Sequence, residues 1–121
     1  MARADALGGL YDFDQAHVEL MQVIDAIMDR IRVSDLDYTI VTILYNAIDY
    51  LFLRFAVEPL HAILSLDSGT NAFSGKDVAM IHDIALNYLH NNPAPRGMEA
   101  YQLEIVKRLK SMLTPILPGF Q

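Results

Sequence analysis

Residues Tyr38–Val57 read Tyr-Thr-Ile-Val-Thr-Ile-Leu-Tyr-Asn-Ala-Ile-Asp-Tyr-Leu-Phe-Leu-Arg-Phe-Ala-Val. Neither Gly nor Pro interrupts the run, so no residue in it is an obvious helix breaker. At about 100° per residue, Thr39, Thr42, Asn46 and Asp49 gather in one sector of roughly 80°. Nearly all the remaining circumference is apolar. One face carries Tyr38, Val41, Tyr45, Ile48, Phe52 and Phe55, and another carries Leu36, Ile40, Ile43, Ala47, Tyr50 and Leu51. A surface helix of a monomer needs a single apolar stripe. Two apolar faces predict either the central helix of a bundle or a helix that gives one face to its own fold and the other to a second chain. The tyrosines favour a partly wet boundary, because a buried hydroxyl needs a polar partner. Tyr38, Tyr45 and Phe52 also recur at seven-residue spacing, the period of a helix-packing seam.

The same run is long enough to be weighed as a membrane span, which needs about 20 mostly apolar residues. Asp49 argues against it, since an acid at the centre of a span costs about 2.5–3.5 kcal/mol. Arg54 lies five residues from Asp49, outside the i+3 and i+4 spacings that pair charges on one helical face. The expectation is no membrane insertion.

Around this run the chain has the size of one domain. Its 121 residues are enough to bury a core. Apolar residues make up 53% of the chain, above the usual range of roughly 45–50%, and the excess points to oligomerisation or a partner. The chain has no Cys, which excludes disulfide and thiol chemistry. Its net charge is −6. The one basic cluster, Lys107, Arg108 and Lys110, lies late in a helix, so no nucleic acid partner is expected. The acidity suits a basic partner protein, or serves solubility. Met1–Gly9 lacks the apolar segment of a secretory signal, which leaves the cytoplasm as the expected location.

The flanking segments read as one-sided helices. Met1–Tyr11 is Ala/Gly-rich and is expected to be loose at its start. Asp12 and Asp14 are candidate N-caps of a first helix running to about Arg32. In it, His17, Leu20, Met21, Ile24, Ile27, Met28 and Ile31 keep helical spacing, and Arg30 falls with the polar residues. Ser34 and Asp37 have the spacing of a capping box, and the short loop makes the first two helices antiparallel neighbours. Pro59 predicts a break or strong kink, followed by a short helix to about Leu66. Ser74 and Asp77 repeat the cap spacing before a helix to about Asn91, and Asn91–Gly97, with its two prolines, ends it. A last helix spans about Met98–Thr114. Pro115 and Pro118 stop it and leave residues 115–121 as an apolar tail. No repeat and no convincing strand is visible. The fold expected is all-α, a single-domain bundle of four main helices plus a short helix after Pro59.

Motifs with chemical content are few. Glu58-Pro59-Leu60-His61 has the Glu-x-x-His spacing of a helical metal site, and Asp14 with His17 is a weaker acidic variant. A carboxylate di-metal site needs two proper motifs and further glutamates, so Glu58 and His61 are weak metal candidates only. His82-Asp83 is a lone dipeptide whose side chains diverge by about 100°, and a metal site of that type needs additional ligands from other helices. His82 and His90 lie eight apart rather than at the four of a zinc pair, and read as two exposed histidines. Gly69 and Gly75 have five residues between them where a phosphate-binding loop has four, and Asp77 replaces its Ser/Thr. No nucleophile–base set stands out. These readings predict no catalytic residue, no cofactor and no enzyme.

The expected function is therefore protein–protein interaction. The chain reads as a small acidic regulator that binds and occludes a partner, for example a bacterial anti-activator on a transcription activator. A homodimer and a second protein are both expected as partners. The expected interface is Tyr38, Val41, Tyr45, Ile48, Phe52 and Phe55, with Phe52→Asp as its test. The alternative is a bundle that binds metal through Glu58 and His61, or a small molecule in a Met- and Tyr-lined interior.

Overall fold

The computed structural model describes the backbone of residues 8–67 and 69–116 and the side chains of residues 15–67 and 69–112. Among these residues there are five helices and no strand. They are α1 (Gly8–Arg32), α2 (Tyr38–Leu53), α3 (Val57–Leu64), α4 (Gly75–Asn91) and α5 (Glu99–Ile116). The run quoted above supplies α2, which touches each of the other four helices. Its Ile40, Ile43, Leu44, Ala47, Ile48, Tyr50 and Leu51 are buried. They meet Leu20, Ile24, Ile27 and Ile31 of α1, Leu60 and Ile63 of α3, Val78, Ile81, Ala85 and Leu89 of α4, and Ile105, Leu109 and Met112 of α5 in one core. Among the described residues, helix α1 packs against α2 and α3 but not α4 or α5, so it forms one edge of the bundle.

Several boundaries differ from the sequence reading. Helix α1 already includes Gly8–Tyr11, so Asp12 and Asp14 lie inside it rather than at its start. Once begun, a helix gains one backbone hydrogen bond for each residue added. Residues 1–7 and 117–121 lie outside the described residues, and with them most of the expected tail; Pro115 and Ile116 belong to α5. The cap of α2 is Asp37, whose carboxylate accepts from the Thr39 amide at 2.8 Å. Ser34 does not join it in a box. Its hydroxyl donates to Arg30 O at 2.6 Å and accepts from the Phe73 amide at 2.7 Å, tying the first loop to the start of α4.

The break between α2 and α3 comes before Pro59. Phe55 has φ 54°, its amide donates to Phe52 O at 3.0 Å, and the Ala56 amide donates to Leu51 O at 2.9 Å. This is the Schellman pattern, a 5→2 bond inside a 6→1 bond about a left-handed residue. Pro59 then sits in the first turn of α3, where amides have no intrahelical acceptor and a missing N–H costs nothing. The Ser74–Asp77 box forms in full at the start of α4: the Ser74 amide donates to Asp77 Oδ2 at 3.1 Å and the Asp77 amide donates to Ser74 Oγ at 3.2 Å.

Candidate interaction surface

The expected interface residues divide by depth. Ile48 is 0% exposed and belongs to the chain's own core. Val41, Tyr45, Phe52 and Phe55 are half-buried, packed against that core from outside. Tyr38 is 82% exposed. Helical geometry explains the gradient. Ile48 lies about 80° from the middle of the buried arc, and Val41, Phe52, Tyr45 and Tyr38 follow at about 20° steps toward solvent. The six residues share an apolar face, but the face curves out of the core.

Helix α1 meets this face. The His17 ring lies against Phe52, with centroids 5.1 Å apart, and against Phe55 at 6.0 Å. Met21 and Met28, four and eleven residues after His17, lie on the same side of α1. Met28 is half-buried and Met21 is 44% exposed. The result is an apolar seam between antiparallel helices. It runs from His17 and Phe52 at one end to Met28 and Val41 at the other, about 16 Å at 1.5 Å per residue. Asp25 and Asp49, both exposed, stand outside it on the α1 and α2 sides.

Two arginines hold the frame: Arg30, which the sequence reading put with the polar residues, is buried, and Arg54 is half-buried. Arg30 on α1 donates from Nε to Asn71 O and from Nη1 to Leu64 O, both at 2.8 Å, and its guanidinium lies 4.2 Å from the centre of the Phe73 ring. It thus supplies a donor to the C-terminal end of α3, where carbonyls lack helical partners. The available signal was Arg30's position seven residues after the buried Val23, on the same row of α1. Arg54 donates to Gln102 Oε1 at 2.6 Å and to Pro93 O at 3.2 Å. The Tyr50 hydroxyl donates to the same Gln102 oxygen at 2.8 Å, and Gln102 Nε2 donates to Leu89 O at 3.1 Å. This cluster joins α2, α4 and α5, and its polar atoms satisfy one another.

The chemical alternatives gain little. Glu58 and His61 are both exposed on α3, and among the described residues no group of three metal-ligating side chains converges. His82 is buried rather than exposed, with Nδ1 3.0 Å from Asp83 Oδ1; His90 is exposed. A groove of about 860 Å³ opens between α4 and α5, lined in part by Ile84, Leu89, His90, Val106 and Lys110. No Met or Tyr lines it, so it is not the Met- and Tyr-lined interior expected of a small-molecule binder. Among the described residues no helix is long and apolar enough to cross a membrane. No protein-family model, curated protein or solved structure matches the chain.

Proposed function

We propose that this chain is a protein–protein interaction module and that the α1–α2 seam is its contact surface. The observation that carries the reading is the exposure of Met21 on the seam and of Tyr38 one turn beyond its Val41 end, where the seam's other apolar members, Val41, Tyr45 and Phe52, are only half-buried. Single exposed apolar side chains are ordinary, whereas a contiguous apolar strip with polar edges is typical of a binding surface. Tyrosine suits such a place, since it brings a large apolar area and a polar tip at low entropic cost. In its narrower form the proposal is a regulator that occludes its partner, with self-association and a second protein as the two candidate partners.

Phe52→Asp is a poor test, because the Phe52 ring also holds His17 of α1. Met21→Lys with Tyr38→Lys changes the seam where it faces solvent. Sedimentation of the purified chain, and capture from native extract with quantification of stoichiometry, should each be run with wild type and double variant. The expected result is a stoichiometric complex, with itself or with another protein, that the double variant loses while its circular dichroism is unchanged. Equal association by both proteins, or none by either, would overturn the reading.

A further inference from the structure

We infer that the α1–α2 seam takes a cationic amphipathic helix from a different protein; the inference rests on the seam being the contact surface. Charge is the first argument. Residues 15–67, which build α2, α3 and the described side chains of α1, contain eight acids and three bases. None of the three bases is free to answer the acids on the rim, and Arg108 of α5, which lines a groove with Tyr38, is paired with Glu104. Arg30 is buried against carbonyls, Arg32 is paired with Asp29, and Arg54 is held by Gln102 and Pro93. Asp25 and Asp49 line the two sides of the seam, and Asp35 and Asp37 are exposed in the loop at its end. An apolar strip with a carboxylate on each side and two more in the loop at its end matches a helix with an apolar stripe flanked by Lys or Arg.

The same charges disfavour a second copy of the chain. In an isologous pair the face meets itself, which brings the acidic rims together. A head-to-tail pair would offer α5, the chain's own basic helix. Among the described residues of α5, Lys107 and Lys110 flank one exposed large apolar side chain, Leu103; Tyr101 turns its ring to Tyr50, with centroids 4.9 Å apart. Among the described side chains the chain therefore shows no stripe that its own seam fits.

The probe is a designed helical peptide of about five turns with leucines at i, i+3, i+4 and i+7 spacing and lysine flanks. Two controls accompany it: a twin with glutamate flanks, and a lysine twin whose leucines are replaced by alanine. Binding is read by fluorescence anisotropy at low and moderate salt. The lysine–leucine peptide should bind one to one, at least tenfold tighter than either control. Asp25→Lys with Asp49→Lys should weaken it at least tenfold. The same double substitution placed at Asp83 and Glu99, on α4 and at the start of α5, should weaken it less than threefold. Equal binding of the alanine twin, or equal loss in both double variants, would reduce the effect to bulk charge and overturn the inference. If the lysine and glutamate peptides bind alike and Met21→Lys with Tyr38→Lys abolishes both, the cationic class is wrong while the contact surface stands. If neither peptide binds but the wild type self-associates through the seam, a second copy is the occupant and the inference fails. If neither peptide binds and the wild type does not self-associate, the inference fails, and the contact surface then stands or falls on capture from native extract.

Discussion

At Phe55 the backbone adopts φ 54°, a conformation that costs an L-residue with a Cβ about 1–2 kcal/mol and glycine almost nothing. The position closes the Schellman turn that separates α2 from α3, and a glycine there would have announced the turn in the sequence. Phenylalanine hides it, and Pro59 draws the eye to a place four residues too late. The strain is measurable by comparing two substitutions that both delete the ring. Phe55→Gly should be more stable than Phe55→Ala by about 1 kcal/mol, the reverse of their order in a helix interior. Urea unfolding of the two variants checks it; an alanine variant as stable as the glycine variant would mean the left-handed turn carries no strain. Arg30 was equally invisible from the sequence for a related reason. Charge suggests solvent, and only its register on the Val23 row, together with carbonyls left open by the end of α3, makes burial favourable.

Helices were legible wherever local chemistry decides them. Ser74 and Asp77 exchange both bonds of a capping box at the start of α4, and the prolines and Gly97 end the segment that follows, with Gly97 at φ 92° just before α5. Ser74→Ala removes the acceptor for the Asp77 amide in a partly buried position. It should cost about 1 kcal/mol, read as a shift of the urea midpoint with an unchanged m-value. Asp77→Asn should cost less, since the amide oxygen still accepts from Ser74. Equal losses would place the value of the box in the carboxylate's charge instead. The Ser34–Asp37 spacing fits the same pattern, yet Ser34 went elsewhere because the Phe73 amide needed an acceptor across the chain. Spacing says what a motif can do locally; a contact thirty-nine residues away decides between uses. The break before α3 and the two arginine clusters are of this second kind.

For the whole molecule, the sequence showed that α2 has more apolar surface than a surface helix uses, and the bundle shows where it goes. Most of it is internal, since α2 touches all four other helices. The remainder emerges as the seam beside α1. Periodicity placed Ile48 and Tyr38 on one face because their angular separation is only about 80°, but depth within the bundle separates them completely. That difference predicts opposite responses to substitution. Ile48→Ala leaves a cavity in a fully enclosed place and should cost about 2–4 kcal/mol. Met21→Lys and Tyr38→Lys, at exposed positions, should each change stability by less than about 0.5 kcal/mol. They should also raise the concentration at which the protein begins to aggregate, because each removes exposed apolar area. Thermal melts and light scattering over a concentration series test both halves. A large loss of stability in either lysine variant would mean that the seam's apolar side chains hold α1 on α2. Near-neutral stability with improved solubility would mean that the fold does not require them. Apolar side chains that folding does not need, on a surface rimmed by Asp25 and Asp49, are then explained by what they bind.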